Sequence, residues 1–583
     1  LLRISSHRLD GRKEEVIMSA HLAIVLSWLV AGLVSLAPAA AEASEFLVKD
    51  INPNGSSGPT WLQNVGGLLY FQAQDGTTGV EPWRSDGTEP GTILLRDIYL
   101  GAQGSYPSAF SDLNGAAYFS ANDGALGHEL WTSTGTSGST ALVKDLNPGP
   151  ADSWPGVASS FTRVGSTLFF MAYSNAHGYE LWKTDGSLAG SVLVRDINPG
   201  PDGSTPLGQI DFNGELVFRA DDGLPASNHR ELWRSDGTTN GTTILEDLNP
   251  TGEGYPADFV ILNGALLFTA NDGTHGDELW RSDGTPEGTD LLVDINPGAI
   301  SSRPGQLRVL DGTLYFVAND GVHGAELWRS DGTAGGTEMV VDLNPMGSSP
   351  ISSLAVAGDQ LFFVRMAAAF NHELWGSDGT AGGTALLRAF TPSNYHPLVE
   401  NLTDVEGTLY FSADDGVHGV ELWKSDGTSA GTVLAADIWP GDLWSSSSPS
   451  YLTNIEGTLY FAANDGVHGN ELCAIHGAAA GVAELGAGPI STLRLLPAAP
   501  NPFRGVTALR FDLDAPAAVR LQIFDVAGRL VREILPGDRL EAGRHAVDWD
   551  GRNASGRDLA SGIYVYQVES AARREVGRVV LAR

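Results

Sequence analysis

The sequence predicts an all-β chain: a large β-propeller built from ~48-residue four-stranded repeats, followed by a C-terminal β-sandwich. Three observations carry this. A Glu-Leu-Trp and Asp-Gly-Thr signature recurs with its glutamate at positions 81, 129, 180, 231, 278, 326, 373, 421 and 471, in steps of 47 to 51 residues. Each repeat divides into four strand-sized pieces separated by Gly, Asn and Asp turns. Past residue 488 the repeat stops and a different strand pattern begins.

Residues 1–41 precede this organisation. The run 22–36, LAIVLSWLVAGLVSL, is apolar and uncharged and is followed by APAAAEA, as in a signal-peptide core with a cleavage site after Ala41 or Ala43. Met18 is the natural start, and from it only His21 supplies a basic n-region. The run is shorter than the ~20 residues a span requires, so no transmembrane span is expected in the mature chain. No Cys follows the run, which excludes a lipid-anchored lipoprotein. Export is the expectation.

The repeat region occupies residues 45–488 and begins mid-unit. Phe46–Pro53 (FLVKDINP) matches the closing segment of later units, such as Val194–Pro199 and Leu292–Pro297. In the sixth unit the predicted strands are Gln306–Leu310, Thr313–Ala318, Ala325–Ser330 and Thr337–Leu343. Between them lie Gly, Asn-Asp-Gly, Ser-Asp-Gly-Thr and Asn-Pro, residues that supply positive or fixed φ for tight turns. Leu314-Tyr-Phe-Val and Met339-Val-Val are continuous apolar runs, as expected of strands covered on both faces. The repeated Trp is large and flat enough to fill the gap between neighbouring sheets.

Helical solenoids are excluded, because Gly or Pro interrupts every unit and no 3.6-residue apolar period is present. A β-solenoid has shorter rungs. Independent domains of this size, without disulfide or metal, would bury too little surface to stand alone. Residues 46–52 form an orphan closing strand, and repeat nine ends after its third strand near Ile475. Pairing of the two, antiparallel with residues 470–475, would complete nine blades in one closed ring and remove the exposed strand edges. Eight blades is the alternative.

Charge narrows the partners. Residues 42–490 hold 17 Lys/Arg against 56 Asp/Glu, a net of −39, whereas residues 491–583 carry a net of +3. Phosphate backbones and anionic lipids would be repelled, so nucleic acid is excluded as a partner. The single cysteine, Cys473, rules out a disulfide framework. It stands where other repeats have Trp and reads as a small buried hydrophobe.

At these residues the chain resembles the ELWxxDGT-repeat family of secreted bacterial proteins, over residues 45–477. The resemblance implies a propeller-like fold. Three repeats depart from the pattern. Repeat two reads Trp131-Thr-Ser-Thr-Gly, without the turn Asp. Repeat seven has Met366–Phe370 (MAAAF) where others have Asn-Asp-Gly, and lacks Asp-Ile-Asn-Pro. Repeat nine has Glu471-Leu-Cys and no closing strand of its own.

Residues 489–503, with Leu496–Phe503 reading LPAAPNPF, are expected to be a stiff linker, and residues 504–583 a separate domain. There Val519, Leu521 and Ile523 alternate, as do His545, Val547 and Trp549, and Tyr564, Tyr566 and Val568. Turns are expected at Ala527-Gly528, Glu541–Gly543 and Gly551–Gly556. Six or seven short strands suggest a β-sandwich of immunoglobulin type. Pro500-Asn-Pro-Phe503, Ile523–Val531, Val547–Arg552, Ala560–Tyr564 and Arg578–Arg583 resemble the FlgD-type Ig-like domain and the type A sorting domains of type IX secretion cargo. That resemblance implies a partner, the secretion machinery, met through this domain.

The nine repeated glutamates are the sharpest chemical feature. Strand alternation points Glu326 and Trp328 to one packed face, where a carboxylate needs donors. Amides of the nearby Asn-Asp-Gly loop are the expected source. The same structural role is assigned to Glu81, Glu129, Glu180, Glu231, Glu278, Glu373, Glu421 and Glu471, and to Trp83, Trp131, Trp182, Trp233, Trp280, Trp328, Trp375 and Trp423. No catalytic residue is assigned, since nine equivalent acids do not make an active site. Calcium is the one cofactor weighed. Asp272 with Glu278, Asp320 with Glu326, and Asp415 with Glu421 flank Gly turns, and Asp75, Asp123 and Asp465 stand likewise. The spacing is not that of an EF-hand, and an Asx turn explains the Asp equally. His177, His275, His323, His418 and His468 stand three residues before the Glu. One His per repeat falls short of a structural zinc site, so they read as solvent-edge residues.

Two functional classes follow. One is a non-enzymatic binding or adhesion protein, secreted or on the outer cell surface, whose propeller engages a glycan or protein ligand. The other is an extracellular polysaccharide-degrading hydrolase or lyase on a propeller scaffold. An enzyme should break the repeat at one place. The irregularities, at Asn228-His229-Arg230, 366–372, Tyr395-His396 and Trp439–Ser448, are scattered along the sequence, which favours binding.

Overall fold

The computed structural model describes residues 46–476 and 493–582, apart from 158–159, 225–228, 346, 368–370, 392–398, 442–443, 500, 502, 514–516, 526–528, 541–542, 554–555 and 571–572. The expected signal segment, Tyr395-His396 and the turn at Ala527-Gly528 lie outside the described residues. The chain divides between Gly481 and Val482 into two compact units.

In the first unit the described residues form nine four-stranded antiparallel sheets, each from strands consecutive in sequence except one. The first blade runs Thr60–Val65, Leu68–Gln74, Val80–Ser85 and Ile93–Leu94. The exception is the ninth, in which Ser450–Ile455, Thr458–Asn464 and Asn470–His476 are completed by Leu47–Lys49. Leu47 pairs with Cys473 and Lys49 with Leu472, antiparallel, and the Ala474 amide donates to the Phe46 carbonyl at 2.8 Å. The ring therefore closes with nine blades.

Propeller geometry follows from how the blades pack. The first strands of neighbouring blades touch, and Ser450–Ile455 of the ninth touches Thr60–Val65 of the first. The Thr453 hydroxyl donates to the Leu62 carbonyl at 3.2 Å across that seam. Each apolar core lies between two blades. Leu69, Phe71 and Trp83 of the first pack with Tyr460 and Leu472 of the ninth, and Leu168, Phe170 and Trp182 of the third with Tyr118 and Leu130 of the second. Both faces of every blade are thus covered, which explains why its strands read as continuous apolar runs. A Phe on the second strand stands opposite the signature Trp in eight blades, as Phe71 does to Trp83 and Phe316 to Trp328. In the ninth, Phe461 faces Cys473, which is buried at 1% exposure.

The second unit is a sandwich of two sheets. Leu493–Ala499, Thr507–Leu513 and Gly543–Trp549 form one; Leu530–Leu540, Ala517–Asp525, Gly562–Ser570 and Arg573–Leu581 form the other. Its core holds Phe511, Val519, Leu521, Ile523, Trp549, Tyr566 and Val568, the alternating residues of the sequence among them. The segment expected as a linker is corrected here. Leu493–Ala499 is an edge strand, where a proline without an N–H is tolerated, and Phe503 is buried against Trp549 at 5.4 Å between ring centroids.

Closure makes a thermodynamic demand. Ile51 is buried, and Phe46 and Val48 pack on the cores either side of the ninth blade. Burial of such side chains contributes roughly 1.5–3 kcal/mol each. Deleting residues 45–53 should lower the melting temperature of the propeller markedly in calorimetry; an unchanged melting curve would exclude the closing role.

Candidate functional site

The signature carboxylates lie on the third strand of each blade and are buried in eight of the nine. Each of the eight buried ones stands opposite an alanine of the second strand, as Glu81 does Ala73 and Glu471 does Ala463, which leaves room above the sheet. Their donors are not in the Asn-Asp-Gly loop. The Glu81 carboxylate accepts the Ile98 amide at 3.0 Å, the Ser105 amide at 2.9 Å and the Ser105 hydroxyl at 2.5 Å. Ile98 belongs to the segment that leaves the outer strand, and Ser105 to the approach to the next inner strand. Each of the eight buried glutamates therefore fastens the crossing from one blade to the next. Glu129 holds Leu146 and Ser153, Glu180 holds Asn198 and Ser204, Glu278 holds Ile295 and Ser302, and Glu421 holds Ile438 and Ser447. Glu326 holds the Leu343 amide. Glu471 does this across the ring closure, accepting the Ile51 amide at 3.0 Å and the Ser57 hydroxyl at 2.6 Å, more than 400 residues away in sequence. The serines were missed in the sequence reading, although Ser-x-Pro recurs at Ser57, Ser105, Ser153, Ser204, Ser302 and Ser447.

Glu373 is different. Repeat seven lacks the Asp-Ile-Asn-Pro donors, and the residue opposite Glu373 is Arg365 rather than Ala. The Arg365 guanidinium donates to Glu373 at 3.0 Å, as does the Trp375 indole, so an ion pair replaces the crossing amides. Trp83, Trp131, Trp182, Trp233, Trp280 and Trp423 are buried between blades, while Trp328 and Trp375 are half-buried. The Trp83, Trp280 and Trp423 indoles donate to the carbonyls of Ala73, Ala270 and Ala413 at 3.1 Å.

The carboxylates weighed as calcium ligands each have their own donors. Asp272 accepts the Thr274 and His275 amides at 2.8 Å, the geometry of an Asx turn, and its second oxygen meets His275 Nδ1 at 2.7 Å. Asp320 with His323 and Asp415 with His418 repeat this arrangement. Glu278, Glu326 and Glu421 are engaged instead with the crossings. Four of the five predicted edge histidines thus pair with the turn Asp, and His177 pairs with Asp196 at 2.9 Å. Among the described residues, His229, Glu231 and Asp247 are the one group of three ligand-type side chains with an atom of each within 4.8 Å of the others.

The Asp-Gly-Thr half of the signature builds the loop between third and fourth strands. Asp86 accepts the Thr88 amide at 3.0 Å and its hydroxyl at 2.6 Å, and the Ser85 and Thr92 hydroxyls meet at 2.8 Å. Gly91 is required because a Cβ there would fall inside the Asp86 carboxylate. Repeat two changes both positions together. Thr134 replaces the Asp and Ser139 the Gly, and the Ser139 hydroxyl accepts the Thr134 and Thr136 amides at 3.1 and 3.2 Å.

Residues 500–573 match the FlgD Ig-like domain family. No curated protein matches the chain. Solved structures with a similar fold include one of two prolyl endopeptidases, 11% identical over 71% of this chain and 60% of that one, with a TM-score of 0.37. A puromycin hydrolase is 16% identical over 62% of this chain and 58% of its own, with a TM-score of 0.34. PorZ, an essential surface component of the type IX secretion system of Porphyromonas gingivalis, is 15% identical over 90% of this chain and 75% of its own, also with a TM-score of 0.34. The chain spans less than two thirds of the length of the first two. Nothing about activity follows from similarity at this level.

Two outcomes are expected from this chemistry. Thr134→Asp alone should destabilise the propeller by about 1–2 kcal/mol through collision with Ser139, and adding Ser139→Gly should restore it. Equal melting of the single and double variants would refute the coupling. The second concerns pH. Burial outweighs the donors and pushes Glu81, Glu129, Glu180, Glu231, Glu421 and Glu471 up to about 7, and raises Glu278 and Glu326 as well. A folded-state value above the unfolded one gives stability that is complete below about 4.5 and is lost as pH rises through about 7. Asp75, Asp272, Asp320 and Asp415 are lowered from 3.8, so their contribution is lost only in stronger acid. Melting temperature should therefore fall by at least a few degrees, on the order of 2–4 °C per kcal/mol, between pH 5 and pH 8. A rise over that window would contradict it.

Proposed function

We propose that this is a secreted or outer-surface binding protein without catalytic activity, with the propeller as platform and the C-terminal domain for sorting or attachment. The observation that carries this is where chemistry is tied up and where it is exposed. The repeated carboxylates serve the crossings between blades and leave no set of dissimilar groups repeated at an open face. Bulky side chains instead stand exposed on the innermost strands and their approaches, in left-handed backbone. Trp61 and Tyr451 occupy equivalent bulges of neighbouring first strands at φ 57° and 55°, and Tyr106 and Tyr255 equivalent approaches at φ 47° and 48°. The same left-handed backbone recurs at Ala109, Asp258, Gln306 and Asn401 and at Thr205, Arg303 and Ser448, so it belongs to the repeat, and what differs between blades is the side chain it presents. Exposed aromatic faces suit the apolar faces of sugar rings or a protein ligand. The region's charge of −39 disfavours anionic partners.

Two readings from sequence support the location. The repeats resemble the secreted ELWxxDGT family, and residues 504–583 resemble type IX sorting domains, which would make the secretion machinery a second partner. No helix among the described residues is long and apolar enough to cross a membrane.

A glycan and protein array with residues 45–490 tests the platform. Saturable binding that falls at least ~10-fold in Trp61→Ala/Tyr451→Ala is expected for central aromatic contacts. Binding unaffected by both substitutions would move the site elsewhere. In a native host, removing residues 500–583 should abolish export or surface retention; normal export would remove the sorting role.

A further inference from the structure

The fourth blade, with strands Leu207–Phe212, Glu215–Asp221, Arg230–Ser235 and Thr243–Glu246, departs from the others at two positions that meet in space. Seven blades place a glycine of positive φ two residues before the signature glutamate, and in six of them, at Gly79, Gly127, Gly178, Gly276, Gly324 and Gly419, backbone lies so close that a Cβ would collide. Blade 4 has His229 there. Most blades also supply a serine hydroxyl to the glutamate. Blade 4 has Gly254, which gives Glu231 only its amide, at 2.8 Å, beside the Leu248 amide at 2.7 Å.

The two changes together leave an imidazole where backbone would lie and a carboxylate oxygen without its usual hydroxyl donor. His229 is 6% exposed, and its Nδ1 lacks a hydrogen-bond partner. Its Nε2 faces Asp247 Oδ1 at 3.5 Å, and its Nδ1 lies 3.5 Å from Asp222 Oδ2. Both distances exceed those of a good hydrogen bond, so the ring is flanked by carboxylates without being held tightly by either. A carboxylate oxygen has two lone pairs, and Glu231 Oε2 accepts the Leu248 amide with one. Asp247 is partly exposed, giving a route from solvent.

We propose that blade 4 carries a single divalent transition-metal site, of the kind zinc fills, with His229 Nε2, Asp247 and Glu231 as ligands and Asp222 orienting the imidazole through Nδ1. One nitrogen and two carboxylates suit zinc and its neighbours better than calcium, which takes six or more oxygens. A carboxylate behind the distal nitrogen is the usual support of a metal-bound histidine. Three protein ligands leave a fourth position for water or a ligand group. The other blades lack the arrangement. Their edge histidines are already paired through Nδ1 to an aspartate, and most of their glutamates take a serine hydroxyl that Glu231 lacks.

Zinc titration of the full chain by calorimetry tests this, at physiological salt with excess calcium to suppress diffuse binding to the acidic surface. One saturable equivalent is expected. His229→Gln should lose it, and Asp222→Asn should weaken it by ~10–100-fold. Gly254→Ser would set a Cβ in collision with Glu231 Oε2 and so displace that carboxylate, and with folding checked by circular dichroism it should weaken zinc at least ~10-fold. His323→Gln, on a blade with the regular pattern, should leave the equivalent in place. Cobalt substitution gives a second readout, since a histidine–carboxylate site imposes d–d absorption that free cobalt lacks. Absence of a saturable equivalent in the unaltered protein, or its persistence in both His229→Gln and Gly254→Ser, would overturn the site.

Discussion

A carboxylate between two blades is the constraint on which the propeller's regularity depends. Water is excluded there, so the oxygens of the carboxyl group must be met by donors from the protein. The donors come from the segment that leaves one blade and the serine that opens the next. Where the glutamate meets a crossing amide, as in eight of the nine blades, it holds the chain to that path. The alanine opposite, the Asp-Ile-Asn-Pro bend and the Ser-x-Pro approach are all parts of one joint. Blade packing supplies most of the apolar burial, but it is non-directional. The joint gives it direction.

Departures from the pattern obey the same rule, since they occur in matched sets. Repeat two exchanges Asp for Thr134 and Gly for Ser139, and the hydroxyl of the second takes over the amides that the first would have held. Repeat seven loses its crossing donors and gains Arg365 where the alanine stood, so Glu373 keeps a partner. The fourth blade changes a glycine to His229 and a serine to Gly254, on either side of one carboxylate. A single substitution at any of these places would leave a buried group unpaired or two atoms in one space.

Much of this was legible in the sequence. Period, strand order and closure were readable because turn chemistry and strand-length apolar runs are local signals, and the orphan segment at Phe46 had a single place to go. The buried side of Val519, Leu521 and Ile523 followed from alternation alone. The source of the glutamates' donors was not legible. It joins residues ~24 apart through a crossing whose path depends on the twist and spacing of two sheets, and a nearer loop with free amides looked adequate. The edge strand at Leu493–Ala499 was hidden for another reason. Prolines that suggest a linker are also admissible in a strand with one unpaired edge. The cluster at His229 was visible only as an insertion, because Asp222 and Asp247 lie just past the ends of other strands and nothing in their spacing points to the histidine.

Closure by Leu47–Lys49 has a consequence for how the molecule is made. The first of the ring's strands to be synthesised completes the blade that is synthesised last. Until Asn470–His476 has emerged, the amides and carbonyls of Leu47–Lys49 have no native strand to pair with, and eight blades must wait as an open arc with two bare faces. Contacts that span the whole chain form slowly, and an unpaired edge exposed meanwhile invites pairing with another molecule. A chain threaded outward from its beginning would thus deliver its closing strand to the far side first, so that folding to the ring is confined to the compartment of arrival.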